Sequence, residues 1–341
     1  GGPRRVYEID DKEEEWTEAL GTLSRVWGNK KGERVEIVGS GFITATIDGV
    51  EGNRNVMLVT LPVYAEEGNE KGKLHLWLTD NTHIVDIGPV SDDDAAASSL
   101  LYKSGTGEDK KEELIALYEK KKEVGKPSPG MVSVLLTEQL ERVKKVLATW
   151  KEVDERVSQL CTSLIAQKDP PADNACDAVR ITDGLVGFLS DKFSDGIWRD
   201  EYLGVNATMA ENDAAAATGP SDGVKFTGRG AGAQWPVGKQ GENQLYHFAN
   251  YKFTLVATVS IHNVPKEGDT PIPLMGVRAG ADGEKKLIEL SYDSGKKWQV
   301  LCGNGDPKEL GSIGETDTAQ HVVILLRNGT HCTAYVDGQR V

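Results

Sequence analysis

Short runs of alternating apolar and polar residues, broken by glycine and charged turns, fill the first hundred positions. Phe42 to Ile47 reads as a strand entering an Asp48-Gly49 turn, and Val56 to Thr60, Leu74 to Leu78 and Ile84 to Ile87 repeat the pattern. Strands at this spacing fit antiparallel sheets or propeller blades. Glu108 to Lys122 differs: Leu114, Leu117 and Tyr118 fall at helical spacing among charges, so periodicity predicts a helix there. Thr137 to Leu160 predicts a longer one, with Leu140, Val143, Leu147, Trp150, Val153, Val157 and Leu160 on one face and Thr137, Glu138 and Glu141 offering a capped start. Ser163 to Asp177 is polar, holds Pro170-Pro171 and reads as a linker. Strand texture then returns in Leu185 to Leu189, Tyr251 to Ile261, Leu287 to Tyr292, Trp298 to Leu301 and His321 to Leu326, the pattern of a β-sandwich.

Composition sharpens this picture. The 341 residues suit about two domains, and 38 glycines against 13 prolines suit many turns between short strands. The net charge of −14 argues against a nucleic-acid partner, whose footprint would be basic. The chain opens on Gly1-Gly2-Pro3 and closes on a strand and turn at Tyr335 to Val341, which reads as a segment of something larger. Four cysteines allow Cys161–Cys176 across the linker and Cys302–Cys332 between strands, or four free thiols. The six histidines are scattered and form no zinc ligand set with them, and no cofactor is expected. Sequons stand at Asn206 and Asn328; with pairable cysteines they tilt toward a secreted or surface protein.

Ser291, Asp293, Gly295 and Trp298 match the Ser-x-Asp-x-Gly-x-x-Trp hairpin called an Asp box, with Asp capping turn amides, Gly at positive φ and Trp beneath the hairpin. Ile9 to Trp16 keeps only the Asp and Trp of that pattern. His75 and His83 read as surface or rim residues of strands, and Asp92-Asp93-Asp94 as a solvated loop.

Longer motifs go further. Trp16 to Trp27, Leu74 to Asn81, Ala148 to Glu152, Gly184 to Ser190, Trp198 to Tyr202, Trp235 to Gly238 and Tyr246 to Tyr251 resemble the trans-sialidase superfamily of trypanosome surface glycoproteins, over nearly the whole chain. The resemblance implies an all-β, two-domain protein. Residues 1–135 would be the C-terminal part of a six-bladed sialidase β-propeller, 136–162 an interdomain helix and 163–180 a disulfide-closed linker. Residues 181–341 would be a concanavalin-like lectin β-sandwich, incomplete at its C-terminus. It also implies a strand over Glu113 to Glu119, against the periodicity, and favours the Cys161–Cys176 bridge.

In active members an arginine triad holds the sugar carboxylate, a Tyr paired with a Glu is the nucleophile and an Asp is the acid/base. A neutral phenol suits a carboxylate-bearing sugar because it avoids charge repulsion. The nucleophile position before Ser98-Ser99-Leu100-Leu101-Tyr102 holds Ala97, and Tyr102 is the family's following strand tyrosine rather than a substitute. Lys71 matches the last arginine of the triad, keeping the charge without the planar fork, and Asn69 takes the place of an acceptor-site aromatic. Glu119 matches a supporting pocket Glu, so Lys71 and Glu119 would remain of a degenerate sialic-acid pocket. The other catalytic groups would lie upstream of residue 1.

The expected function is therefore a catalytically inactive surface glycoprotein that adheres to host-cell glycans, sialic acid- or galactose-containing, or to surface receptors during invasion. The alternative is an active exo-α-sialidase or trans-sialidase hydrolysing or transferring terminal sialic acid. A third reading makes the sandwich a structural buttress fixed by the helix through residues such as Leu147. Within the sandwich Trp198, Trp235 and Tyr246 would either stack on a sugar or pack internally. Location would be the parasite surface, with membrane attachment only through a C-terminal lipid anchor beyond this chain.

Overall fold

In Lys73–Thr79 the side chains of Leu74, Leu76 and Leu78 are wholly buried on one face, while Lys73, His75 and Trp77 take the other. This period-two burial is what a half-covered antiparallel strand demands. The computed structural model describes residues 7–8, 16–18, 38–50, 55–64, 71–105, 111–121, 130–165, 182, 184–209, 216–219, 223–237, 249, 251–264, 266–267, 270–280, 284–303, 305, 308–310 and 320–340. The chain divides into two compact units, Gly1–Tyr246 and His247–Val341.

In the first unit β1 (Tyr7–Glu8) pairs with β2 (Thr17–Glu18). A curled six-stranded antiparallel sheet follows in sequential order: β3 (Gly41–Thr46), β4 (Asn55–Val63), β5 (Lys73–Thr79), β6 (Ile84–Lys103), β7 (Glu113–Lys120) and β8 (Met131–Leu135). Helix α1 (Thr137–Ile165) comes next. Beyond it lie β9 (Leu189–Ser194), β10 (Ile197–Asp200) and β11 (Ala207–Met209), then the hairpin of β12 (Ala216–Thr218) and β13 (Lys225–Thr227). β14 (Ala233–Gln234) joins the small sheet β14-β11-β10-β9. Leu185 to Phe188 is not strand; its backbone is held instead by Asp200, which accepts from the Phe188 N–H at 2.7 Å.

The helix buries its apolar stripe on the sheet. Leu140, Val143, Val146, Leu147, Trp150, Val153 and Val157 form one core with Leu58, Leu74, Leu76, Leu78, Val85, Ile87, Leu114, Ala116 and Tyr118. The helix predicted from Thr137 is present; the one predicted over Glu108 to Lys122 is not. Glu113–Lys120 is β7, hydrogen-bonded to β6 on one side and β8 on the other. Leu114, Ala116 and Tyr118 are buried and Leu117 is 40% exposed, so the Leu114/Leu117/Tyr118 spacing mimicked a helix by placing one leucine on the open face.

Asp92 to Asp94 also departs from expectation: it lies inside the 20-residue strand β6, not in a loop. Each carboxylate meets a cation from an adjacent segment. Asp92 bonds Lys73 at 2.6 Å, Asp93 bonds Lys120 at 2.7 Å and the Tyr118 hydroxyl at 2.6 Å, and Asp94 lies 3.6 Å from Lys121 and accepts the Gly72 N–H at 2.9 Å. Hydrogen bonds from Lys120 and Tyr118 outweigh burial and hold the Asp93 carboxyl below its ordinary value.

His83 is likewise not a rim residue. It is 4% exposed, stacked on Tyr202 at 4.2 Å and tilted against Trp150 at 5.1 Å. His75 is half-buried, bonded to Asp86 at 2.9 Å.

Among the described residues the second unit has two antiparallel sheets. β15 (Lys252–Ser260), β20 (Gln320–Asn328), β21 (His331–Val336) and β22 (Gln339–Arg340) form one; β16 (Ile272–Ala279), β17 (Lys285–Tyr292), β18 (Trp298–Cys302) and β19 (Lys308–Leu310) form the other. Their buried residues include Val323, Leu325, Ala334 and Val336 in the first, and Ile288, Leu290, Trp298 and Val300 in the second. The sheets are joined by the Cys302–Cys332 disulfide and by Trp298 standing edge-on to His321 at 5.2 Å.

Trp150 is fully buried and its indole N–H donates to the Tyr202 carbonyl at 2.8 Å. Trp150→Ala is expected to cost about 3–5 kcal/mol in urea unfolding of the 341-residue chain, from lost burial and an orphaned carbonyl. A loss under about 1 kcal/mol would show that the helix is not anchored there.

Candidate functional site

The second half of β6 is fastened from both sides. The Ser98 hydroxyl lies 2.9 Å from that of Thr60 and accepts the Gly41 N–H at 3.1 Å, and the Ser98 N–H donates to the Gly39 carbonyl at 3.0 Å. With Ser98 turned inward, Ala97 is exposed on the opposite face. The strand is irregular here: its pairing with β7 shifts between Ala95–Lys120 and Ser98–Tyr118. Glu119 follows Tyr118 and is half-buried. Lys71, exposed, precedes Gly72, whose carbonyl accepts the Ala95 N–H at 3.0 Å. Lys71, Ala97 and Glu119 thus border one short stretch of β6. Asn69 lies outside the described residues.

Gly72 is required by packing, because a Cβ there would come within 2.7 Å of the Tyr64 ring. Tyr64 in turn accepts from Lys121 at 3.3 Å. The cations Lys73, Lys120 and Lys121 are each tied to an aspartate of β6. Among the described residues of β6 and β7, neither tyrosine hydroxyl is free to attack. Tyr102 donates to Glu112 at 2.7 Å and accepts the Asp48 N–H at 3.0 Å; burial first, then the Glu112 hydrogen bond, push its hydroxyl well above the ordinary value. Burial and the Asp93 bond raise Tyr118 in the same direction. Both tyrosines stay neutral and turned toward the core side of the sheet.

In the second unit Asp293 organises the β17–β18 turn. Its carboxylate accepts from the Lys297 N–H at 2.9 Å and from Gln299 at 3.0 Å, while Trp298 is 1% exposed beneath, edge-on to Tyr292. The positive φ falls on Lys296 (59°) rather than on Gly295. Gly295 serves by its size: a Cβ there would stand 3.3 Å from the Asp293 carboxylate, tighter than usual. Ser291 pairs with Gln299 across the hairpin.

The Cys302–Cys332 bridge is present. The Cys161–Cys176 reading falls outside the described residues, as do most of Ile9 to Trp16 and all of Tyr246. Trp198 donates its indole N–H to the Ser190 carbonyl and Trp235 to that of Val205, each at 2.6 Å. Both rings are half-buried.

Sequence reasoning missed a groove of about 680 Å³ between β5, β6, α1 and the turn at Leu203, lined by Trp77, Asp86, Arg142 and Lys145 among others. Its one sequence signal was a pair of cations one helical turn apart.

The C-terminal domain model of trans-sialidase matches residues 181–341, and a BNR repeat-like domain model matches 1–119. A Trypanosoma cruzi sialidase is 34% identical over 98% of this chain, and T. cruzi sialidase 85-1.1 is 33% identical over 98%. This chain spans 27% and 40% of their respective lengths. T. cruzi sialidase 85-1.3 is 31% identical over 137 residues that make up 74% of its length. This chain belongs to the trypanosome sialidase/trans-sialidase superfamily. Among solved members, the Trypanosoma rangeli sialidase in complex with sialic acid covers all of this chain with half of its own, at 37% identity and TM-score 0.80. The same enzyme as a covalent intermediate with 2,3-difluorosialic acid gives 38% and 0.81.

The sequons of this family member differ in access. Asn206 is half-buried, with its amide oxygen accepting the Asp200 N–H at 2.9 Å, whereas Asn328 is exposed at the β20–β21 turn. Secreted from a glycosylating host, the chain is expected to carry glycan at Asn328 and little at Asn206, read by mass spectrometry after enzymatic deglycosylation in heavy-oxygen water. Equal occupancy at both sites would contradict the assignment.

Proposed function

We propose that this chain is part of a catalytically inactive, trans-sialidase-like surface glycoprotein that binds host-cell glycans, sialylated or galactose-containing, or surface receptors, and so serves adhesion and invasion. The observation that carries the reading is Ala97. An exposed methyl group stands where the family's phenol nucleophile is expected, and the tyrosines along β6 and β7 have hydroxyls committed to carboxylates. Lys71 in place of the triad arginine supplies one charge without bidentate geometry, which suits weak carboxylate holding rather than transition-state orientation. Loss of a nucleophile costs orders of magnitude in turnover, while ground-state binding survives it.

In this reading residues 1–135 are the C-terminal part of a six-bladed propeller, and 181–341 a concanavalin-like lectin sandwich with Ser291, Asp293, Gly295 and Trp298 as its Asp box. Support for more sheet beside the first unit comes from Leu101, Leu117, Met131 and Leu135. These residues are 40–65% exposed on one face of β6, β7 and β8, a patch that favours cover. The protein would stand outside the cell, held by a C-terminal lipid anchor; no helix among the described residues is long and apolar enough to cross a membrane.

The test is a glycan array with the full-length protein that carries this chain. Retention of sialylated or galactose-terminated glycans, recovered chemically intact, is expected. Binding to none of them would overturn the glycan reading and leave only protein receptors.

A further inference from the structure

The groove beside α1 stands apart electrostatically. In a chain of net charge −14, cations find carboxylates readily: on the same helix Lys144 pairs with Glu112, Lys151 with Glu155 and Arg156 with Glu201. Arg142 and Lys145 are exposed, and among the described residues neither pairs with a carboxylate. They sit one helical turn apart, so their side chains are neighbours, and both line the same half-open groove of about 680 Å³. The Arg142 guanidinium lies against Gly88, where a Cβ would stand 3.2 Å from its Nη1, and Gly88 (φ 123°) is fixed by its N–H bond to Asp86. The half-buried Trp77 of β5, packed against the Val59, Leu61 and Ile84 cluster, lines the same cavity.

The far rim is held in an unfavourable backbone conformation. Leu203 has φ 61° and is 44% exposed, a rare combination for a bulky residue. The turn is over-determined by Asp200, only 2% exposed, whose carbonyl accepts the Leu203 N–H and whose carboxylate accepts that of Gly204. An exposed leucine kept in this geometry at a cavity mouth is a pre-set apolar contact.

We infer that this groove binds an acidic sugar. Its carboxylate or sulfate would lie between Arg142 and Lys145, its ring against Trp77 and Leu203, and one hydroxyl would donate to Asp86. The Asp86 carboxylate accepts from His75 and Gly88 and has lone pairs to spare. Lys71, Ala97 and Glu119 do not line the groove, so it is a second site, distinct from the pocket of the proposed function though it shares that reading's sialylated ligand class, and only the groove variants below report on it.

The test is calorimetric titration of the 341-residue chain with 3′-sialyllactose and with a sulfated heparin tetrasaccharide, lactose serving as the neutral control. At least one acidic probe is expected to bind while lactose does not. Arg142→Ala/Lys145→Ala should weaken that binding at least about tenfold, the loss of two charge-assisted contacts. Lys151→Ala, on the same helix but ion-paired, should change it less than about twofold. Circular dichroism checks that the variants remain folded, and Trp77→Phe provides a second, uncharged perturbation that should also weaken binding. No binding of either acidic probe, or binding indifferent to the double substitution, overturns the inference. So does a polyglutamate peptide that binds more tightly than the sugars and is lost in the same variant, since the occupant would then be a peptide.

Discussion

Within the first unit three stretches remote in sequence meet at the His83 ring. It stacks on Tyr202 from beyond the helix, leans on Trp150 from the helix, and bonds the Leu185 carbonyl at 2.9 Å through Nε2 and Asp80 at 3.2 Å through Nδ1. Burial alone would raise the Asp80 carboxyl, but the His83 hydrogen bond and charge, with the His83 and Thr82 N–H groups, hold it below its ordinary 3.8. A carboxyl depressed in the fold contributes stability above its unfolded pKa and loses it as pH falls through the folded value. Trp150 then donates to Tyr202, Tyr202 to Asp154, and Arg156 pairs with Glu201, so the post-helix segment is fastened along nearly two turns of α1.

From that joint the course of β6 follows. With α1 seated on the sheet, the first half of the strand pairs with β5 while Gln139 reaches its Pro89 carbonyl at 2.9 Å. The second half leaves β5 and pairs with β7. Between the halves the chain must carry three consecutive aspartates, and the lysines of β5, β7 and the residue after β7 make that tolerable. One strand therefore bears both Asp86, which lines the cavity, and Ala97. Ala97 is not among the contacts of the His83 joint, so a substitution there leaves that joint untouched.

Much of this was legible in the sequence, for identifiable reasons. Leu74 to Leu78 and Leu287 to Tyr292 showed period two because one face of each is covered, and α1 was plain because its stripe runs unbroken from Leu140 to Val157. Glu113–Lys120 was misread because Leu117, on the open face of β7, completed a false helical spacing. Asp92 to Asp94 looked solvated because the neutralising lysines are remote or across a strand, and His83 looked peripheral because its partners Trp150, Leu185 and Tyr202 lie far along the chain. Gly295 was assigned the wrong duty: its neighbour Lys296 takes the positive φ, and the glycine clears space for a carboxylate. The Arg142–Lys145 groove needs strand, helix and turn together, and no local window contains it.

The most direct measurement is sialic acid release and transfer by the full-length protein carrying this chain, assayed beside an active trypanosome sialidase on sialyllactose. The predicted result is turnover at least about 10³-fold below the active relative, as removal of a nucleophile entails. Turnover within about tenfold of that enzyme would mean that another group attacks the sugar, and would contradict the central claim.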